Sequence, residues 1–196
     1  MKQTFIFATN NKHKVEEVQQ ILGDKVTLLS LKDINFAEDI PENEPTIEGN
    51  ALFKARNIYT KFHQDCFADD TGLEVEALNG EPGVFSARYA GEDKNYESNN
   101  QLLLKNLQDA SNKKARFKTI IACILNGKEY LFEGIIEGFI VDKPRGNNGF
   151  GYDPIFQPIG YENTFGELSD DVKNTISHRA KAVEAFFNYL QQQQIV

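Results

Sequence analysis

Residues Arg116–Gly138 read RFKTIIACILNGKEYLFEGIIEG. Two runs rich in β-branched and aromatic residues flank Asn126-Gly127. That dipeptide suits a two-residue type I′ turn, because both central residues need positive φ. The stretch therefore predicts two long antiparallel strands, Arg116–Leu125 and Lys128–Gly138, with Ile140–Asp142 extending the second. Upstream, Thr4–Ala8 and Val26–Leu31 read as short buried strands, and Cys66–Ala68 as a third that stops at an acidic corner, Asp69-Asp70. The alternating segment Leu73–Leu78 reads as a strand resuming after that corner, followed by a turn over Asn79–Gly83.

Helical spacing appears between the strands. Val15, Val18, Ile21 and Leu22 form one apolar stripe behind an N-cap at Asn10 or Asn11. Ile47, Ala51, Ala55, Ile58, Tyr59 and Phe62 form another behind Thr46. Asn95–Leu107 is a third helix, and Ala180, Val183, Phe187 and Leu190 mark a fourth behind Ser177. The sum is a mixed α/β fold, a sheet with a long hairpin and three or four flanking helices, read as one domain over residues 1–196.

Forty per cent of the 196 residues are hydrophobic, enough to bury a core. A net charge of −8 gives no general electrostatic case for binding a nucleic-acid polymer. Cys66 and Cys123 lie in apolar runs and read as reduced core residues. The start of the chain has too short an apolar run for a signal peptide, and nothing approaches a membrane span. The expectation is a cytoplasmic protein.

Chemistry concentrates in Phe67–Gly91, FADDTGLEVEALNGEPGVFSARYAG. Adjacent carboxylates at Asp69 and Asp70 repel each other and favour either solvent, as in a turn, or a hard divalent cation such as Mg²⁺. Both readings stand on the residues alone. Lys12 and Lys14 fall in the first turn of one helix, His178 and Arg179 in the first turn of another. Helix N-termini already carry partial positive charge, so an anion docked at each would reconcile these cations. Asn50 and Lys54 share a helix face near the acidic loop Asn35–Pro45. Phe150 and Tyr152, in the glycine-rich Pro144–Pro154 loop, either pack on the core or stack on a ligand. Asp70, with Asp69 and Glu42, gives a metal candidate, and Lys14, Lys54, Lys173 and Arg179 give cationic arms. That inventory suits a triphosphate–metal complex, hence a nucleotide phosphohydrolase or binder.

Five ordered motifs, FATNNKHK, TIEGNALFKA, FADDTGLEVEALNGEPGVFSARYAG, GNNGFGYDPIF and ISHRAKA, resemble those of the inosine triphosphate pyrophosphatases, also called XTP/dITP diphosphatases. The resemblance runs from about Phe5 to the last helix. It implies an elongated α/β fold with two lobes around a substrate cleft, Mg²⁺ dependence and a homodimer. The implied reaction converts dITP, ITP and XTP to the monophosphate and pyrophosphate. By position, Thr9, Asn10, Asn11, Lys12, His13 and Lys14 would form a phosphate-binding loop, and Lys54 matches the lysine of the second motif. Glu42 and Asp70 would ligate Mg²⁺, with Asp70 also the general base and Thr71 touching substrate. Phe150, Gly151, Tyr152 and Asp153 would line the nucleoside pocket, completed by Lys173, His178 and Arg179. Asn10 stands where many relatives have Gly, and Thr71 where Ser is commoner. Gly49 replaces the usual Glu before Asn50, and Glu44 competes with Glu42 as metal ligand. The alternatives are a Maf-like pyrophosphatase of other nucleotides and a non-catalytic nucleotide sensor.

Overall fold

The computed structural model describes residues 3–195. In chain order the elements are β1 (Thr4–Phe7), α1 (Lys12–Leu22), β2 (Thr27–Ser30), α2 (Ile47–Phe62), β3 (Cys66–Val75) and β4 (Pro82–Gly83). There follow α3 (Tyr96–Asn106), β5 (Lys114–Leu125), β6 (Lys128–Ile140), β7 (Phe156–Pro158), α4 (Asp170–Ile176) and α5 (His178–Gln192). The expected mixed α/β class is what the chain adopts. Asn126 and Gly127 take φ of 49° and 76°, the left-handed pair that a two-residue hairpin requires. Among the described residues five α-helices form rather than three or four. The addition is α4, whose seven residues are too few to show an apolar stripe; Ser169 caps it by accepting from the Val172 N–H at 3.4 Å.

Contacts divide the chain into two units. The first takes residues up to Asp70, Thr119–Gly134 and those from Arg179 onward; the second takes Thr71–Lys118 and Ile135–His178. Each is assembled from separate stretches, so no single cut in the sequence divides them.

In the first unit the strand order is β2-β1-β3-β5-β6, with β1 parallel to both β2 and β3. Phe5, Phe7, Val18, Leu22, Phe67, Ile121, Phe186 and Leu190 form its core. Successive side chains of β3 point to opposite faces. Phe67 stacks on Phe7 at 4.5 Å and lies 5.2 Å from Phe186 of α5. Its neighbour Cys66 points the other way, donating its thiol to the Ala55 carbonyl of α2 at 3.3 Å.

The acidic corner does not exist. Asp69 and Asp70 lie in the middle of a continuous ten-residue strand, because each carboxylate finds a cation without the chain having to turn. The strand ends instead at Val75, and Glu76–Leu78, read as strand from its alternation, is a single 3₁₀ turn.

In the second unit β4 pairs antiparallel with the end of β3, at Leu73↔Gly83, and β7 with the end of β6, at Gly138↔Pro158. The core is Leu103, Phe117, Tyr152, Ile155, Phe156 and Phe165. Gly138 is required there, since a Cβ would lie 2.5 Å from the Phe156 ring. Among the described residues no helix is long and apolar enough to cross a membrane.

Candidate active site

The two adjacent aspartates of β3 face different partners. On the α5 side, Asp69 is fully buried. Lys14 Nζ donates to its Oδ1 at 2.9 Å and Arg179 Nε to its Oδ2 at 3.1 Å. Asn11 sets up the first of these contacts: it caps α1 by accepting from the Lys14 N–H at 3.3 Å. Arg179, itself buried, also donates through Nη1 to Glu17. Burial alone would raise the Asp69 carboxyl, but the Lys14, Arg179 and Lys54 cations more than offset it and hold Asp69 well below the usual carboxylate range. Burial likewise opposes the Arg179 charge, and Glu17 and Asp69 reverse that, raising it above its ordinary value. Cations at two helix starts thus have internal carboxylates as partners, a simpler account than a docked anion at each.

On the α2 side, Lys54 Nζ donates to Asp70 Oδ1 at 3.0 Å and to Glu42 Oε1 at 2.7 Å. Asn50, one turn before Lys54, donates to Asp70 Oδ2 at 3.4 Å. Its carbonyl oxygen accepts from the Glu44 N–H at 3.0 Å, which ties the acidic loop to the helix. Thr46 caps α2 by accepting from the Gly49 N–H at 3.0 Å. Burial pushes Asp70 up, the Lys54 and Lys14 cations oppose it, and the Glu42 charge pushes it up further; the result is above the ordinary carboxylate value. Lys54 remains a cation: burial disfavours its charge, but Asp70, Glu42 and Asp69 raise its pKa.

Of the competing glutamates, Glu42 shares Lys54 with Asp70, whereas Glu44 is exposed and contributes its backbone N–H. Gly49 now has a physical reason. A Cβ there would lie 2.8 Å from the Glu44 Cβ, where the loop crosses the first turn of α2. Among the described residues no group of three or more His, Cys, Asp or Glu side chains surrounds a metal position. Glu42 and Asp70 nonetheless supply hard carboxylate oxygens, a donor set that fits Mg²⁺ when phosphate and water oxygens complete the coordination.

The remaining members of the first loop are more peripheral. Thr9 Oγ1 accepts from the Asn11 N–H at 3.1 Å. Asn10, Lys12 and His13 are exposed, and Lys12 pairs with Glu16 at 3.3 Å. Thr71 is half-buried at the start of the second unit.

The second unit holds its own cluster. Asp153 Oδ2 accepts from Lys173 Nζ at 2.7 Å and from the Phe150 N–H at 2.7 Å, with both charged side chains buried. The Lys173 ammonium lies 5.0 Å from the Phe150 ring centroid. His178 is buried and stacks on Phe117 at 4.5 Å, the rings 16° from parallel. The two aromatics of the glycine-rich loop part company: Tyr152 packs in the core and donates its hydroxyl to the Ser86 carbonyl at 2.8 Å, while Phe150 is half-buried. Gly149 and Gly151 both take positive φ, 71° and 63°. A buried lysine–aspartate pair beside an aromatic ring can orient a polar, planar ligand.

A sequence profile of the Ham1 family matches residues 5–189. The chain belongs to the Ham1 family. It is 55% identical, over 94% of its length and 96% of the relative's, to a protein of Flavobacterium johnsoniae named dITP/XTP pyrophosphatase. The Ham1 protein of Staphylococcus aureus superposes with a TM-score of 0.89 at 35% identity, covering 97% of this chain and all of that one. A HAM1 protein of Coxiella burnetii gives 0.90 at 36%, covering 97% and 99%. Two residues of this Ham1 chain's clusters escaped the sequence reading as site residues. Asn50 was visible on the Lys54 face, but nothing in its spacing tied it to Asp70. Glu17 sits among ordinary polar positions of α1, and only the fold brings it to Arg179.

Proposed function

We propose that this chain hydrolyses dITP, ITP and XTP to the nucleoside monophosphate and pyrophosphate, removing deaminated purines from the nucleotide pool. The observation that carries the reading is the Lys54 ammonium shared between Glu42 and Asp70, in a chain 55% identical to a protein named dITP/XTP pyrophosphatase. Asp70 and Glu42 would hold Mg²⁺, which when bound supplies a Lewis acid at the phosphate oxygens.

The chain's own groups account for the rest. Asp70, raised above its ordinary carboxylate value by burial, orients a water and takes its proton. The water oxygen forms a bond to the α-phosphorus as the bond from phosphorus to the β-bridging oxygen breaks, and pyrophosphate leaves. Lys54 and Lys14, already held as cations beside carboxylates, stabilise charge developing on the phosphates. Asn10, Asn11, Lys12 and His13 extend the phosphate-binding loop after Thr9, and Thr71 touches the substrate next to Asp70. In the second unit, Phe150 offers its ring to the base, and Gly151, Tyr152, Asp153, Lys173 and His178 shape the nucleoside subsite. Arg179 acts by fixing Asp69. On the strength of its motifs we take the enzyme to work in the cytoplasm as a homodimer.

The test is turnover of dITP, XTP, dGTP, dATP and dTTP with Mg²⁺, assaying pyrophosphate and orthophosphate separately. Pyrophosphate released chiefly from dITP and XTP is expected. Orthophosphate as first product, or preference for a pyrimidine, overturns the assignment.

A further inference from the structure

Two adjacent asparagines on α3 face the second unit's loops and differ in how their amides are satisfied. Asn99 is bonded at both ends: its Oδ1 accepts from the Ala90 N–H at 2.7 Å, and its Nδ2 donates to the Ala87 carbonyl at 3.0 Å. Asn100 is not. Its Nδ2 donates to the Gly151 carbonyl at 3.1 Å, while its Oδ1 is shielded from solvent and accepts no hydrogen bond among the described residues. The residue is 7% exposed. A buried acceptor left unmade costs free energy, whereas a leucine of similar volume would carry no such penalty.

The one bond that Asn100 does make goes to the loop assigned above to the nucleoside. Gly151 holds a left-handed conformation, φ +63°, one residue after Phe150. Asp153 pins the loop through the Phe150 N–H, and Asn100 pins it through the Gly151 carbonyl. Tyr96, one turn before Asn100 on the same face of α3, places its ring 6.1 Å from that of Phe150, so two α3 contacts serve one short segment. Gly151 is only half-buried, so water can replace Asn100 at its carbonyl at little cost to folding.

We propose that Asn100 is a positioning residue for nucleoside recognition: its amide fixes the Gly151 carbonyl so that the Phe150 ring is presented in one orientation, and the unpaired Oδ1 is the stability penalty accepted for that. The inference rests on the nucleoside role of the Phe150 loop. It predicts opposite behaviour for neighbouring asparagines.

The experiment compares Asn100→Leu, Asn100→Ala and Asn99→Ala with the wild type in thermal unfolding, in dITP turnover, and in inhibition by inorganic tripolyphosphate, which carries the phosphates and no base. Asn100→Leu is expected to melt no lower than the wild type, to raise the KM for dITP by about tenfold at a kcat within about twofold, and to leave tripolyphosphate inhibition unchanged. Asn99→Ala is expected to melt lower. An unchanged KM in both Asn100 variants overturns the proposal, as does an Asn100→Leu protein that melts lower and loses kcat in step, or that weakens tripolyphosphate equally. Failure of the wild type to act on dITP strikes the functional reading instead; the order of the two melting temperatures is read regardless and still decides whether the Asn100 amide is held at a cost.

Discussion

Asp69 and Asp70, neighbours in sequence, present their carboxylates to opposite faces of one strand: Asp69 toward Lys14 and Arg179, Asp70 toward Lys54 and Asn50. The strand's two-residue period makes this separation, and it splits structural and chemical duty between identical side chains. Asp69 has both oxygens held by cations, the buried Arg179 and the half-buried Lys14, and its acidity is deepened by them. Asp70 is raised above its ordinary value and shares its lysine with a second carboxylate.

The two amide substitutions should therefore separate. Asp69→Asn removes the charge that Arg179 and Lys14 were built around, so urea unfolding should show a loss of about 3 kcal/mol, the usual scale for breaking a buried pair. Asp70→Asn leaves Lys54 its partner Glu42 and should stay within about 1 kcal/mol of the wild type, while pyrophosphate release falls by roughly a hundred-fold or more. A stable Asp69→Asn protein, or an active Asp70→Asn one, contradicts the division.

Lys54 pairs with both Glu42 and Asp70, at 2.7 and 3.0 Å. Lys54→Met leaves those two carboxylates facing each other without it. Its melting temperature should fall, and MgCl₂ should restore more of that loss than an ionic-strength-matched amount of KCl, because a divalent cation answers the same two oxygen donors. Glu42→Gln and Asp70→Asn should each weaken the Mg²⁺-dependent rise in melting temperature. EDTA should abolish turnover of the wild type. Equal effects of KCl and MgCl₂ on Lys54→Met would show that the pair is not a divalent site.

Local rules carried the sequence reading a long way, and failed where tertiary contacts override them. Asn126-Gly127 announced its hairpin because positive φ at two successive residues restricts the choice of residue. Asn10-Asn11, of which Asn11 is the cap, and Thr46 announced α1 and α2 because a cap is a local hydrogen bond. Asp69-Asp70 read as a corner because two carboxylates in a buried strand make no local sense; only Lys14, Lys54 and Arg179, brought from three helices, make them tolerable. The same blindness applied to the cations. Lys14 and Arg179 looked like anion seats at helix starts, and partners 55 and 110 residues away supply the negative charge. Asn100 gave no signal at all, since an orphaned amide oxygen is a property of packing.

The thiols give a prediction about alkaline pH. Burial pushes Cys66 up to about 12 and raises Cys123 as well, from an ordinary value of about 8.5. A raised folded value means that the native state keeps a proton which the unfolded chain releases. Stability from this source is fully present below about pH 8.5 and is lost as pH rises toward 12, by up to about 1.4 kcal/mol per pH unit for each thiol. Urea midpoints measured from pH 7 to 10.5 should fall, and fall less steeply in a Cys66→Val, Cys123→Val protein. Native protein should react with a thiol reagent only at its unfolding rate. Rapid labelling at neutral pH would mean that the strands carrying these cysteines open locally.

Gly149 and Gly151 share a left-handed backbone but not a setting, so alanine should affect them unequally. A Cβ at Gly149 would lie 2.1 Å from Asp153 Oδ2. That oxygen is held by both Lys173 and the Phe150 N–H, so it has little freedom to retreat. Gly149→Ala should cost about 3 kcal/mol, combining overpacking with left-handed strain, and should raise the KM for dITP by displacing the Phe150 ring. At Gly151 a Cβ meets nothing within 4 Å, and only the strain of φ +63° remains. Gly151→Ala should cost about 1 kcal/mol and shift KM far less. Equal losses at the two positions would mean that backbone strain alone governs the loop and that the Asp153 carboxylate is free to move; a larger loss at Gly149 identifies that carboxylate, pinned by Lys173, as the rigid post against which the loop is built.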